Sequence, residues 1–459
     1  MVEPRIVPRA EHPMSRRDID ADALKVLYRL READHVAYLV GGSVRDLLLG
    51  RQPKDFDIGT SAHPYQVKKL FRNCWIIGRR FRLAHVRFGT KVVEVATFRR
   101  QVEPGEEIVQ DGVPAPIHAD GAEGGGPTAA TAEHLIHRDN TFGTPEEDAF
   151  RRDFTINALA YDIATFSIID YVGGLDDLRA RVVRSIGDPE VRLREDPVRM
   201  LRAVALASRL DFAIDPPLLE AIKKHRREIA RSSAPRLLEE YYKILRTGSA
   251  EKTFRMMASL GLLEPISAEL HRGAKDPLWR ALANVDAYRR QFLATPDTFT
   301  NPILLGSLLV PLGIALGSDR PRERPRRRTA AHDAAAADGQ TEVDTPPGGG
   351  LQLTPKLGEL PLARRDVERL RQILGLQRRL HDVSASPRAQ LALTQRSMFR
   401  DTLTWFEIHA DAPQVVEHWE TLLSEEPPEG EAVAAEALPF PGKRRRRRRR
   451  RRRPDPAQS

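Results

Sequence analysis

The sequence predicts an α+β chain in which a small mixed sheet with helices is followed by an all-helical remainder. Three observations carry this. Tyr38 to Asp57, YLVGGSVRDLLLGRQPKDFD, reads as strand, glycine turn, short helix and second strand. Lys91 to Arg99 alternates, with Val93, Val95 and Thr97 on one side and Val92, Glu94 and Ala96 on the other. From Asp176 to about Ile266 the apolar spacing is helical throughout, punctuated by Asp188-Pro189, Asp215-Pro216-Pro217 and Ala234-Pro235.

Residues 1–20 read as an extended N-terminal arm. Asp18 or Asp20 can cap a helix bearing Leu24, Leu27 and Leu30, with Ala23 and Val26 widening its apolar stripe. Tyr38-Leu39-Val40 is a buried strand that stops at Gly41-Gly42. Val44 to Leu49 suits one or two helical turns, and Gly50 stands where a helix ends. The next strand carries Asp55 and Asp57, which would share a face while Phe56 turns to the core. Pro64 to Phe71 suits a short helix; Trp75 to Ile77 and His85 to Phe88 suit strands. Residues 101–131 abandon the pattern for Gly, Pro, Ala and acids and read as a mobile loop. Glu146 to Asp162 reads as a helix leading to a strand over Ser167 to Val172, closed by Gly173-Gly174.

The expected organisation is a head over 21–180, a helical neck over 181–275 and a helical body over 276–425. Residues 318–350 are too polar to bury themselves and interrupt that body, and 426–459 end in a disordered polyarginine tail.

Composition narrows the chemistry. Arg444 to Arg453 are ten consecutive arginines. Removing them from the 73 Lys and Arg leaves 63 against 64 Asp and Glu, so the net charge of +9 belongs to the tail. Such a run repels itself and binds polyanions, or is a biased tail without function. The one cysteine, Cys74, excludes an intrachain disulfide and a multi-cysteine metal site, and reads as a buried small hydrophobe. The N-terminus has no apolar core of signal-peptide length and nowhere is there a run of about 18 apolar residues, so a cytoplasmic location without membrane contact is expected.

Two carboxylates converging on one spot suit divalent metal ions, and a glycine turn offers backbone N–H groups to phosphate. Asp55, Asp57 and Glu94 are therefore candidate metal ligands, with a solvated turn as the alternative for the first two and an outward strand residue for Glu94. Together they outline a nucleotidyl-transfer site. Arg151, Arg152 and Asp153 abut Phe154 and Ile156 at the edge of the core. Arginines there can grip triphosphate oxygens, and Asp153 can orient a ribose, an arginine or a metal. In REDPVRMLR, Asp196, Arg199 and Arg202 follow at intervals of three and would share a helical face. An aspartate acceptor beside an arginine donor can imitate base pairing, whereas a plain salt bridge is the simpler alternative. Arg79, Arg80 and Arg82 surround Phe81, a mix suited to RNA phosphates and stacking or to an ordinary exposed hairpin turn; His85 reads as a core histidine.

The segments LVGGSVRDLLLG, KDFDIGT, VEVATFR, EEDAFRRDFTINALAYD and REDPVRMLRA together resemble the class II nucleotidyltransferases, the bacterial family of tRNA CCA-adding enzymes and poly(A) polymerases. The likeness spans about Ser15 to Leu263 and weakens beyond. It implies a polymerase-beta-type head followed by an elongated helical neck and body. It also implies Asp55 and Asp57 as the catalytic metal pair, Glu94 as third carboxylate and Asp153 as an active-site residue. Gly41, Gly42, Arg45, Arg152, Arg199 and Arg202 match nucleotide-contacting positions, and Asp196 with Arg199 the pair that selects the base. Ile76 to Val86 and the basic C-terminus are similar to the poly(A) polymerase branch. The resemblance thus implies Mg2+-dependent addition of AMP from ATP to RNA 3′ ends in mRNA polyadenylation and RNA turnover, with RNA-decay factors as partners. A tRNA CCA-adding or A-adding enzyme is the alternative, and an inactive RNA-binding protein the alternative of another class.

Overall fold

The structure, a computed structural model, describes residues 3–78, 82–100, 141–316 and 355–424. The expected loop at 101–131, the insert at 318–350, the tail at 426–459 and the residues Arg79 and Arg80 lie outside them.

Eight strands form one mixed sheet. They are β1 (Arg5–Val7), β2 (Ala37–Val40), β3 (Ile58–Thr60), β4 (Cys74–Ile77), β5 (Leu83–Phe88), β6 (Lys91–Thr97), β7 (Ala160–Asp162) and β8 (Ser167–Asp170). Their order is β1-β8-β7-β2-β3-β6-β5-β4, and β3 with β6 is the parallel pair. Two helices, α1 (Ala21–Glu32) and α3 (Pro64–Leu70), pack on one face. The helix α1 starts at Asp20, whose carboxylate accepts from the backbone N–H groups of Asp22 and Ala23; Ala23, Val26, Leu27 and Leu30 are buried beneath it. The alternation read in β6 holds, since Val93, Val95 and Thr97 are buried and Glu94 is half-exposed on the opposite face. Between β2 and β3 lies α2 (Gly42–Leu48), and Gly50 beyond it takes φ +66°.

Four expectations are corrected. Asp55 and Asp57 are not on a strand: β3 begins at Ile58, and both acids lie in the loop leading into it. The helix expected over 146–162 ends at Phe150, giving α4 (Pro145–Phe150), then a 3-10 turn at Thr155–Asn157 and β7. Within the N-terminal arm, β1 pairs antiparallel with β8, Arg5 opposite Asp170. Asp196 stands outside the helix that carries Arg199 and Arg202. It caps α6 (Pro189–Glu195) with φ −142° and ψ 92°, and α7 (Val198–Leu210) starts after Pro197. A residue preceding proline is pushed out of helical conformation, so the three side chains do not share one helical face.

Beyond α5 (Gly174–Ala180) the chain is mainly helical, with a small parallel pair, β9 (Val182–Val183) and β10 (Ala213–Ile214), interrupting it. The helices α8 (Pro216–His225), α9 (Ala234–Leu245), α10 (Ala250–Ser259), α11 (Ala268–Arg272), α12 (Asp276–Arg290) and α13 (Asn301–Leu309) follow. The last of these packs on α14 (Arg364–Leu380) and near α16 (Phe399–His409). A Cβ on Gly306 would lie 2.6 Å from both Leu370 and Trp405, so the glycine permits the close crossing. One buried apolar core joins sheet and helices from Val7 to Ile408. A second, smaller core closes the C-terminal end around Phe399, Phe406 and Trp419, with α15 (Pro387–Thr394) and α17 (Pro413–Ser424) against it.

Candidate active site

The site is assembled where β2 ends. Gly41 has φ +75° and ψ −131°, a conformation open to glycine alone, and a Cβ there would meet Arg152 Nη1 at 2.9 Å. Its N–H donates to the Leu159 carbonyl at 3.0 Å, so this donor is already used within the fold. The bend sends α2 away from the sheet and brings Arg45 against Asn157 and Asp46. Arg45 is 3% exposed; Nε donates to Asp46 Oδ1 at 2.8 Å and Nη1 to Asn157 Oδ1. Burial lowers this guanidinium to about 10, with Asp46 opposing the fall. Buried and paired in this way, Arg45 fixes the glycine bend against the 3-10 turn.

The carboxylates come from two neighbouring elements. The parallel register of β3 on β6 sets Ile58 opposite Val95, which brings Asp57, one residue earlier, beside Glu94. Asp57 keeps an accessible surface, yet the protein around its carboxyl strips enough hydration to push it up to about 6, and Glu94 and then Asp55 add to the rise. The Glu94 carboxyl is raised as well, by burial first and by Asp55 second, and it stands 3.6 Å from His85 Nε2. Asp55 reaches outward, 73% exposed, with Lys54 Nζ at 4.0 Å.

Among the described residues no group of three or more His, Cys, Asp or Glu side chains is arranged to hold a metal. The crowding of Asp57 by two like charges is nevertheless the environment that a divalent cation relieves. Hard carboxylate oxygens on an open flank suit an ion that keeps water and phosphate among its ligands. The donor set fits Mg2+ in kind without forming a closed cage.

Behind the carboxylates lies a lattice of arginines. Asp148, buried on α4, accepts from Arg151 Nε at 2.9 Å and Arg152 Nη2 at 3.1 Å. Arg152 Nη1 also donates to the Asn157 carbonyl at 3.2 Å, which holds its guanidinium over Gly41. Asp153 joins this lattice to α7: its Oδ1 accepts from Arg199 Nε at 2.7 Å and its Oδ2 from Arg202 Nη1 at 2.8 Å. Burial would raise the Asp153 carboxyl, but hydrogen bonds and charge from Arg199 and Arg202 hold it below its ordinary value. Arg202 is held from behind by Glu240 Oε1 at 3.2 Å. Asp196 turns the other way, accepting from Arg236 Nη2 at 2.8 Å. Asp153, Arg202, Arg45, Arg209, Glu240 and Lys243 line a recess of about 370 Å³ among α2, the 153–157 segment, α7 and α9.

The structure therefore brings Asp57 and Glu94 together, and Asp153 with Arg199 and Arg202, while Asp196 is paired away from Arg199. Arg82, at φ +38° just before β5, is half-exposed. Asn157, Asp148, Arg209 and Glu240 were missed in the sequence. Asn157 lies inside FTINALAYD, and an amide there was the available signal; nothing local marks Glu240.

The mixed sheet, the Gly41 bend and the neighbouring Asp57 and Glu94 carboxylates come together in the N-terminal part of the chain. Residues 37–184 match the family described as the poly A polymerase head domain. Residues 211–272 match a probable RNA and SrmB-binding site of polymerase A, and 353–453 the polymerase A arginine-rich C-terminus. These three matches are to polymerase A segments and cover successive parts of the chain, each less than half of it. Over 268 residues it is 48% identical to poly(A) polymerase I of Salmonella typhi, covering 58% of this chain and 54% of that protein. Over 256 residues it is 34% identical to a CCA-adding enzyme of Lactobacillus johnsonii, covering 56% and 57% respectively. The chain spans about half the length of these curated relatives. A solved tRNA-processing enzyme in its apo form shares the fold at a TM-score of 0.51 and 20% identity, over 90% of this chain and 94% of that one.

Proposed function

We propose that the chain is a template-independent poly(A) polymerase, adding AMP from ATP to RNA 3′ ends with release of pyrophosphate, in mRNA polyadenylation and RNA turnover in the cytoplasm. The observation that carries this is the crowding of Asp57 by Glu94 and Asp55 beside the Gly41 bend. Similarity at 48% to poly(A) polymerase I and a match to an arginine-rich C-terminus favour adenylate tailing over tRNA repair. Among the described residues no helix is long and apolar enough to cross a membrane.

Asp55, Asp57 and Glu94 would hold Mg2+, which when bound supplies charge to the triphosphate and lowers the pKa of the RNA 3′-hydroxyl. The rest falls to the protein. Gly41 lets the chain turn without a side chain, so that the triphosphate can approach the start of α2. Arg152, already fixed by Asp148 and the Asn157 carbonyl, offers its remaining edge to phosphate oxygens. Asp153 locks Arg199 and Arg202 in place, so that α7 presents a fixed set of donors to the nucleotide. Asp196 Oδ2 is engaged by Arg236, so a part in base reading falls to its remaining acceptor sites or follows release of that arginine.

RNA contact is assigned to the neck, in keeping with the matched RNA and SrmB-binding segment, and to Arg79, Arg80, Arg82 and the arginine tail. RNA-decay factors are the partners that a role in RNA turnover would call for. Purified protein with Mg2+, an oligoribonucleotide and each nucleoside triphosphate in turn should yield long ladders with ATP. Equal extension by CTP of a tRNA lacking its terminus would favour tRNA repair. Salt-sensitive RNA binding without incorporation would identify an inactive RNA-binding protein.

A further inference from the structure

The face of the sheet that bears Glu94 continues past the carboxylates to the sheet edge. There β4, β5 and β6 set three side chains in one cross-strand row: Trp75 opposite His85, and His85 opposite Glu94. Cys74, Ala84, Val86, Val93 and Val95 point the other way into the core. The open face is uncovered at its outer end, where Trp75 is 51%, Ile77 50% and Val92 47% exposed, with Arg87 exposed beside them. All four tryptophans lie among the described residues; Trp279, Trp405 and Trp419 are buried and Trp75 is not.

A single exposed apolar residue needs no explanation, but a contiguous patch headed by an indole does. Strand spacing of about 4.8 Å sets the indole roughly 10 Å from Glu94. Successive bases of a stacked strand are separated by about 3.4 Å, so a chain whose 3′ end sits at the carboxylates has bases within reach of Trp75. Indole faces stack any base, and an arginine on the same face supplies a partner for phosphate.

We propose that Trp75 is a stacking platform for a base a few nucleotides upstream of the RNA 3′ end, with Arg87 contacting the backbone. The inference rests on the transferase reading above. RNA is favoured as occupant because the row runs without interruption into the carboxylates at which the 3′-hydroxyl must arrive.

The test uses the full chain with an oligoadenylate primer and ATP with Mg2+. Trp75→Ala should raise the KM for primer by roughly five- to a hundred-fold, the range expected for loss of one stacked base. The turnover rate at saturating primer and the KM for ATP should stay within about two-fold, a split that loss of fold would not give. Trp75→Phe should recover most of the loss. In parallel, acrylamide should quench a component of the tryptophan fluorescence that Trp75→Phe removes, and primer should shield it. An unchanged primer KM in Trp75→Ala overturns the inference. Quenching that primer does not relieve also overturns it and shows the indole open to solvent but unused by RNA. If the wild type incorporates no AMP, the transferase reading fails on its own, and primer shielding of Trp75 still decides whether this face holds RNA.

Discussion

Arg199 Nε donates to Asp153 Oδ1 at 2.7 Å, joining the first residue after the Arg151-Arg152 pair to a helix 46 positions later. This bond replaces the Asp196–Arg199 pairing that their spacing suggests, and it makes Asp153 the link between the segment after α4 and α7. Removing either partner leaves the other charge half-buried and short of a partner. Arg199→Ala and Asp153→Asn should therefore be non-additive. Each should raise the KM for ATP about ten-fold or more, and the double variant should be little worse than the poorer single. The coupling should be on the order of 1–3 kcal/mol. Arg199→Ala should also relax the preference for ATP over CTP more than it weakens RNA binding, as judged by parallel incorporation and filter binding.

Gly41→Ala strains a backbone at φ +75° and drives a Cβ to 2.9 Å from Arg152 Nη1. The expected cost is about 1–3 kcal/mol of stability, read from the urea midpoint. Incorporation should fall further than stability accounts for, because Arg152 must shift from Gly41. Gly50→Ala is the comparison: its φ is +66°, but no heavy atom lies within 4 Å of the new Cβ, so strain arises there without displacing Arg152.

His409 on α16 gives a pH signature remote from the site. Burial lowers its imidazole to about 4 from 6.5, and its Nε2 lies 2.9 Å from Ser307 Oγ. The folded state favours the neutral ring, so this residue's contribution is whole above pH 6.5 and is lost as the pH falls towards 4. At pH 5 the loss should be on the order of 2 kcal/mol. His409→Gln should flatten the fall in thermal midpoint between pH 7 and pH 5. An equally steep fall in both proteins would contradict this.

Trp419 is fully buried, donates from Nε1 to the Leu380 carbonyl at 3.0 Å, and meets Phe399 edge-on at 5.4 Å between ring centres. Trp419→Ala should cost about 3–5 kcal/mol. Because its cluster is separate from the main core, the loss should show as protease sensitivity beginning in α14 to α17 while α7 to α10 stay protected.

Short-range chemistry was legible in the sequence, whereas pairing across the chain was not. The Asp20 cap, the stop of α2 before Gly50 and the alternation of β6 follow from neighbours a few residues apart. Pro197 already forbade a helix at Asp196; weighing that restriction against the attraction of a three-residue repeat would have removed the residue from α7. β1 and β7 escaped because three-residue strands hold too few positions to display a period, and their hydrogen bonds come from distant partners. Asp55 and Asp57 were legible as candidates but not as loop residues, since a strand and the extended segment feeding it read alike. Glu240 could not be found, because only folding brings it behind Arg202.

The most direct test of the central claim is incorporation of labelled AMP into an oligoribonucleotide, with Mg2+, by the wild type and by Asp57→Asn. The wild type should build ATP-dependent ladders that vanish on chelation. The variant should retain ATP and RNA binding yet lose at least about a thousand-fold in rate, the scale of removing a group on which electrostatic catalysis depends. Undiminished incorporation by Asp57→Asn would contradict the account.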